Sequence, residues 1–274
     1  MLTISSGGSE VDVNLSNPSV ITTFKLIQAL SELIVFVIPA LIFVVFTSDK
    51  KIAYLKLTGF KPIMALIVII LVFSLMPLIN WTGEINSHLS LPDFLSTIEN
   101  WMKASEAKAK ELTEAIMNMV SPVDLIVNII VIALLPAVGE ELLFRGALQN
   151  VLIEWTKKTH LSVWITAILF SALHAQFFGF LPRMLLGVVL GYLYIWSGSL
   201  WLSMLFHFLN NGLAVLFSYL IGKGTISETA ETVGAGNTPI YFVALSAIVS
   251  VGLMYVIYKH QPPPAPPSGE RYAS

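Results

Sequence analysis

Long apolar runs separated by short polar joints dominate this chain and predict helices that cross a membrane. A transmembrane helix needs about 20 predominantly apolar residues, and the alternation that marks half-buried strands is absent from the sequence. We therefore predict an all-α fold, a polytopic transmembrane helical bundle of about seven spans. The predicted spans cover residues 26–47, 62–81, 121–155, 161–178, 181–196, 200–221 and 239–258.

The longest polar connection, residues 82–121, has a helical periodicity of its own. Its apolar residues recur at spacings of three and four, with an interruption at Ser105. We expect an amphipathic helix that rests on the bundle or on the membrane interface, and a lid over a site is the alternative. The recurring positions are Leu95, Ile98, Met102, Ala109, Leu112, Ile116 and Met119.

The composition agrees with a membrane protein. Of the 274 residues, 55% are hydrophobic and 12% are charged, whereas a soluble domain has about 25% charged residues. The mean hydropathy is +0.79. A net charge of −2 provides no basic surface for nucleic acid. Because the chain has no cysteine, disulfides, thiolate metal ligands and a thiol nucleophile are excluded.

Composition divides the chain into five stretches. The first lacks the basic region of a signal peptide, and we expect both ends to be disordered. The stretches are a polar leader at 1–20, two transmembrane helices and an amphipathic helix at 21–120, a four-helix membrane core at 121–221, a loop and the last transmembrane helix at 222–260, and a proline-rich tail at 261–274.

Lysine-rich loops predict the orientation in the membrane. The loop between the first two spans has four lysines and one acid, and counting the spans assigns two more basic stretches to the same side. By the positive-inside rule this side is cytoplasmic, with the N-terminus outside and the C-terminus inside. The basic residues are Lys50, Lys51, Lys56, Lys61, Lys157, Lys158, Lys259 and Arg271.

Two adjacent carboxylates and an arginine interrupt the third predicted span, and an ionisable group inside a bilayer is by default functional. Glu141 lies four residues before Arg145, so the two side chains can pair on one helix face. Glu140 is rotated by about 100° from Glu141 and has no basic residue one turn away. Without a local counter-ion, Glu140 is a candidate general base. The alternative is a structural hydrogen bond to a neighbouring helix.

Histidines on two later spans extend this polar set. His174 follows Phe170 by one helical turn, and His207 precedes Asn211 by one turn. A single histidine in a membrane helix is more often a hydrogen-bonding group between helices. At about 1.5 Å per residue, however, the polar groups of the three spans can reach the same depth, roughly 12 to 20 Å from the turns on one side. Such a set suits the activation of water and the stabilisation of an oxyanion.

These residues, in this order on successive helices, resemble the signature of the CPBP intramembrane proteases. That family, also called Abi, comprises the type II CAAX prenyl endopeptidases and their bacterial relatives. The resemblance covers about residues 120–220. The matching motifs are Glu140-Glu141-x-x-x-Arg145-Gly146, Phe170-x-x-x-His174 and His207-x-x-x-Asn211.

The resemblance implies an intramembrane endopeptidase that uses a glutamate to activate water. Glu140 would be the base, assisted by His174, and His207 and Asn211 would hold the oxyanion of the tetrahedral intermediate. No cofactor is implied.

The resemblance also implies supporting roles and a location. Glu141, Arg145 and Phe170 would support the site. The substrate would be a peptide or a membrane protein, with no assignment of a prenylated CAAX end. The cavity would open to the cytoplasm, and we expect the cytoplasmic membrane of a prokaryote.

Two other functions remain open from the sequence. In one, Glu140, His174 and His207 bind a zinc ion whose water attacks the peptide. In the other, a non-catalytic transporter or scaffold uses the same residues as a proton or ion relay. The sequence has no His-Glu-x-x-His motif and no Gly-x-Ser-Gly, and Asp124, at the start of the third span, has no second aspartate inside a span with which to form an aspartyl dyad.

Overall fold

The computed structural model describes residues 2–6 and 9–260 and has a helical bundle. Its main helices are α1 (Pro18–Thr47), α2 (Pro62–Ser87), α3 (Ser96–Met117), α4 (Pro122–Thr156), α5 (Thr159–Ala172), α6 (Phe177–Ser197), α7 (Leu200–Gly222) and α8 (Ile240–Lys259). Within this described part, all except α3 and α5 are long and apolar enough to cross a membrane, which makes six candidate spans. The all-α polytopic bundle is confirmed, and the predicted count of about seven is approximate.

The helix α5 explains the difference in the count. It has 14 residues, or about 21 Å of helix, whereas the hydrocarbon core is about 30 Å thick. The prediction of a span over 161–178 with His174 near its middle is wrong, because the helix ends at Ala172. His174 lies in the turn that follows, where Ala175 has a φ of 52°. The apolar composition continues through this turn, so hydropathy alone does not mark the end of the helix.

The amphipathic helix predicted in the 82–121 connection is confirmed as α3. It packs against the turn that begins α6. The Glu106 carboxylate accepts a hydrogen bond from the backbone N–H of Phe178 at 3.0 Å, and the rings of Trp101 and Phe177 are 5.5 Å apart. The helix therefore lies at the same end of the bundle as the turn that contains His174.

The beginning of the chain differs from the expected disordered leader. Leu2–Ser6 and Ser9–Val13 form an antiparallel two-stranded ribbon. In the sequence, apolar and polar residues alternate in both stretches and Gly7-Gly8 separates them, which is a hairpin signal. The prediction that such alternation is absent is therefore wrong for these residues. The predicted proline-rich tail, 261–274, lies outside the described residues.

Glycines on one face of α6 allow α5 to pack closely against it. A Cβ added to Gly187 would lie 3.0 Å from the Cα of Ala167, and one added to Gly191 would lie 2.9 Å from Cγ1 of Val163. Small residues spaced by four allow such close contacts between membrane helices. This packing fixes the depth of α5, so that its C-terminal end reaches the middle of the bundle.

Candidate active site

The two adjacent carboxylates lie on α4 in a short stretch of regular helix. π-helical turns flank this stretch on both sides, at Ile129–Leu134 and Leu142–Gln149. Pro136 closely follows the first of them and cannot donate the usual backbone hydrogen bond, which disturbs the helical ladder. π-helical turns within α-helices are frequent at functional sites. Glu140 and Glu141 are thus held on a locally irregular helix that widens on either side of them.

The missing hydrogen bond at Pro136 explains the position of Asn211. Pro136 is four residues after Ile132, so the carbonyl of Ile132 lacks its usual helical donor. Nδ2 of Asn211, on α7, donates to this carbonyl at 3.2 Å, and Nδ2 of Asn210 donates to Oδ1 of Asn211 at 3.1 Å. One N–H of the Asn211 amide remains for another acceptor. A backbone irregularity on α4 therefore orients an amide of α7.

Glu141 is the centre of a buried ionic cluster. Nη1 of Arg145 donates to Oε1 of Glu141 at 2.6 Å, and both side chains are fully buried. The expected pair is therefore present. Nδ1 of His207 lies 2.9 Å from the same oxygen, and Nη2 of Arg145 donates to the carbonyl of Gly187 at 3.1 Å. The cluster joins α4, α6 and α7, and the link to His207 was not predicted from the sequence.

Glu140 faces the two histidines instead. Its Oε1 lies 4.0 Å from Nε2 of His174, and its Oε2 lies 3.8 Å from Nε2 of His207. Among the described residues Oε2 has no hydrogen-bond partner, although Glu140 is only 6% exposed. The structure therefore brings the carboxylate and the two imidazoles together from three separate parts of the chain.

Hydrogen bonds determine which ring nitrogen carries the proton in each neutral histidine next to Glu140. Nδ1 of His174 lies 2.8 Å from the carbonyl of Phe170, and Nδ1 of His207 lies next to the Glu141 carboxylate. A carbonyl and a carboxylate only accept, so Nδ1 is the donor in both rings. The lone pair of each neutral Nε2 then faces Glu140. With both rings neutral, three proton acceptors converge on one point, which suits the removal of a proton from water. A second proton on His207 turns its Nε2 into a donor.

Phe170 separates the ionic cluster from this group of acceptors. Its ring centre lies 4.6 Å from Cζ of Arg145. The rings of His174 and His207 are 5.1 and 6.0 Å away from it, both nearly edge-on. An aromatic ring that packs against both imidazoles supports their orientation.

A cavity of about 290 Å³ opens beside Glu140. The residues predicted to be catalytic, Glu140, His174, His207 and Asn211, all line it. Sequence reasoning missed Arg183, the one arginine of α6. The sequence feature that could have identified Arg183 is a single charged residue at the beginning of a predicted span. The remaining lining residues are Phe170, Gly179, Pro182, Leu186, Leu190, Phe206 and Asn210.

Sequence reasoning also missed a buried acid on α1. Glu32 is 2% exposed, and its Oε1 accepts a hydrogen bond from Nε2 of Gln28 at 3.0 Å. The backbone carbonyl oxygen of Glu32 is only 3.3 Å from the position that a Cβ added to Gly139, the residue before Glu140, would take. Glu32 does not line the cavity. Its signal in the sequence was a lone carboxylate within a long apolar run.

The cavity lies in one half of the bundle. It extends from the middle, at Glu140 and His207, toward the beginning of α6 at Gly179. Lys157 and Lys158 lie at the opposite end, where α4 is connected to α5. We expected the cavity and the lysine-rich loops to lie on the same, cytoplasmic side. This expectation is wrong, because the lysine loops and the cavity are at opposite ends of the bundle.

The zinc alternative names Glu140, His174 and His207 as the ligands. Among the described residues, no group of three or more histidine, aspartate and glutamate side chains is arranged to hold a metal ion. Glu140 is 3.8 and 4.0 Å from the two imidazole nitrogens.

Comparisons with known proteins match the part of the chain that contains this site. Residues 122–213 match the family described as type II CAAX prenyl endopeptidase Rce1-like. The chain is 35% identical over 86 residues to the uncharacterized protein YpbD of Bacillus subtilis strain 168. The aligned stretch is 30% of this chain and 41% of that protein. No solved structure matches. The family match and the six apolar helices identify an integral membrane protein.

Proposed function

We propose that this chain, whose residues 122–213 belong to the type II CAAX prenyl endopeptidase Rce1-like family, is an intramembrane endopeptidase of the glutamic type. The observation that carries the proposal is a buried carboxylate, Glu140, facing the Nε2 atoms of His174 and His207 at 4.0 and 3.8 Å in the wall of a cavity. Proton acceptors grouped in a cavity inside a membrane are suited to the hydrolysis of a peptide bond.

In the proposed reaction Glu140 accepts a proton from a water molecule, and His174 assists. The resulting hydroxide attacks the carbonyl carbon of the peptide and forms a tetrahedral intermediate with a negatively charged oxygen. Asn211 donates its free N–H to this oxygen. His207 donates from Nε2 when its ring carries both protons. The C–N bond then breaks, and the proton on Glu140 passes to the leaving amine.

The ionic cluster has a supporting role in this proposal. Glu141 accepts from Nδ1 of His207 at 2.9 Å and thereby directs Nε2 toward the cavity. Arg145 neutralises Glu141 and links it to α6 through the carbonyl of Gly187. Phe170 accepts from His174 through its backbone carbonyl and packs against both imidazoles.

The substrate in this proposal is a peptide or a membrane protein that enters the cavity from the bilayer or from the adjacent aqueous phase. No prenyl group is assigned. The mechanism as proposed needs no cofactor, and a zinc ion held by Glu140, His174 and His207 is the alternative. Chelation separates the two versions, since loss of activity after metal removal and recovery with zinc would favour the metal enzyme.

The proposal is tested by comparing membrane proteomes. Cells that express the wild-type chain are expected to contain new peptide termini that are absent from cells expressing Glu140→Gln at the same level. A matched control is Glu114→Gln, which changes an exposed carboxylate on α3. Identical termini in all three samples would contradict the protease assignment and favour a transporter or scaffold.

A further inference from the structure

Arg183 lies in the cavity wall but has no role in the proposed reaction. Its Nη2 donates to Oε1 of Gln176 at 2.5 Å, and its guanidinium folds back over Gly179. Its Nη1 is buried and has no hydrogen-bond partner among the described residues. The guanidinium therefore presents a planar fork of N–H donors, in which Nη2 has a partner and Nη1, the free half of the fork, has none among the described residues.

The charge of Arg183 is also incompletely neutralised. Glu106 and Glu140 both act on it electrostatically, but within the described side chains no carboxylate lies within ion-pair distance of it. Glu106 already accepts from the backbone N–H of Phe178. An unpaired guanidinium nitrogen that is shielded from water is costly to leave without a partner.

A carboxylate is the group that suits such a fork. Guanidinium and carboxylate groups form parallel, charge-assisted hydrogen bonds that fix both distance and orientation. A carboxylate brought by the substrate would fill the free half of the fork and neutralise the charge. A neutral amide would satisfy only part of the donor capacity.

We propose that Arg183 binds a carboxylate of the peptide substrate and thereby selects which bond reaches Glu140. This inference rests on the proposed endopeptidase function. The carboxylate is either the C-terminus of the substrate or an Asp or Glu side chain, since both present the same two oxygens.

The size of the cavity limits where this carboxylate can be. From Gly179 to Leu190 the lining of α6 extends over about 16 Å at 1.5 Å per residue. An extended peptide covers about 3.3 Å per residue, so the cavity spans roughly five residues. The carboxylate that Arg183 binds therefore lies within a few residues of the bond that is cleaved.

The test uses matched pools of synthetic peptides and the purified full chain in lipid nanodiscs. One pair of pools differs only in a free or an amidated C-terminus. A second pair, with amidated ends, differs only in Asp and Glu replaced by Asn and Gln. Cleavage is followed by mass spectrometry for the wild type, Arg183→Gln and Arg183→Lys.

We expect the wild type to prefer one carboxylate-containing pool over its neutral partner. Arg183→Gln should lower kcat/KM for that pool by about tenfold to a hundredfold, the usual effect of a hydrogen bond to a charged group. Its rate on the neutral pool should fall by a smaller factor than its rate on the carboxylate-containing pool. Arg183→Lys should retain part of the preference because it keeps the charge but loses the fork. The preferred pair identifies the carboxylate as terminal or as a side chain.

Two further variants separate this role from a purely structural one. A Cβ at Gly179 would lie 3.3 Å from Nη2 of Arg183, so Gly179→Ala should shift the guanidinium and weaken the preference without removing the charge. Glu106→Gln should leave the preference intact or increase it. Loss of the preference in Glu106→Gln would mean that the preference depends on Glu106 and not on an unpaired Arg183, which would overturn the inference.

The outcomes distinguish this inference from the proposed function. Wild-type cleavage with no carboxylate preference, or a preference that survives Arg183→Gln, overturns the role of Arg183 and leaves the protease assignment intact. If the wild type cleaves none of the pools, the protease assignment fails. The role of Arg183 is then tested by measuring the equilibrium binding of the same peptides to the wild type and to Arg183→Gln. Carboxylate-dependent binding that Arg183→Gln loses supports the site, and its absence overturns it.

Discussion

Glu140 and Glu141 are adjacent in the chain but have different surroundings. The Glu141 carboxylate is bonded to Arg145 and lies next to Nδ1 of His207. Glu140 points about a quarter turn away, toward the cavity and the Nε2 atoms of two histidines. Substitutions at these two positions should therefore have different consequences, one for catalysis and one for folding.

Replacing Glu140 by glutamine should abolish most of the activity and leave the fold intact. Glutamine has nearly the same shape but accepts a proton poorly, and the loss of a general base lowers rates by about 10²–10⁴-fold. The measurement is the rate of peptide cleavage together with the thermal unfolding temperature. Wild-type cleavage by Glu140→Gln would remove this residue from the mechanism.

Replacing Glu141 by glutamine should destabilise the protein. Arg145 would keep a charge in a fully buried position without its partner, which typically costs about 3–5 kcal/mol. We expect a clear decrease in the unfolding temperature in detergent. The double variant Glu141→Gln with Arg145→Met should recover part of the loss, because it removes the unpaired charge. An unchanged unfolding temperature in Glu141→Gln would show that the pair contributes little.

At the scale of elements, the irregular turn of α4 depends on α7. Nδ2 of Asn211 donates to the carbonyl of Ile132, whose usual helical donor is missing because residue 136 is proline. Asn211→Ala should leave that carbonyl unsatisfied and cost about 1–3 kcal/mol. In a Pro136→Ala background the backbone N–H can return, so the same substitution should cost less. A double-mutant cycle on the unfolding free energy measures this coupling, and strictly additive effects would contradict it.

The contact between α5 and α6 leads to another prediction. Gly187→Ala would place a methyl group 3.0 Å from the Cα of Ala167, which is backbone and cannot move aside easily. We expect a loss of about 1–3 kcal/mol from overpacking and reduced cleavage, because His174 lies in the turn that follows α5. Gly252→Ala is the matched control. An added Cβ has no neighbour within 4 Å there, so alanine should be neutral or stabilise α8 by about 0.5–1 kcal/mol.

At the scale of the whole molecule, the orientation decides which compartment the cavity faces. The positive-inside rule predicts that the lysine-rich ends are cytoplasmic, and the cavity then opens toward the other side. Because the chain has no cysteine, single substitutions can be labelled cleanly. In intact cells an impermeant maleimide should label Ser90→Cys and spare Lys158→Cys. The reverse pattern would mean that the cavity opens to the cytoplasm, as the family resemblance implies.

The sequence by itself determined the features that depend on neighbours along the chain. Apolar runs of about 20 residues specify membrane helices whatever their partners are. The pairing of Glu141 with Arg145 follows from a spacing of four on one helix, and α3 follows from the periodicity of its apolar residues. Each of these needs only helical geometry and the cost of exposing polar groups to lipid.

The tertiary structure decided how those helices are rotated and how far each one extends. α5 ends at Ala172, before His174, although apolar residues continue beyond it, and it packs closely against α6 at Gly187 and Gly191. Whether Arg183 faces lipid or the cavity depends on the rotation of α6, which no local pattern reveals. The free carboxylate of Glu140 becomes a candidate base only when other helices bring two histidines to it, since such contacts join residues far apart in the chain.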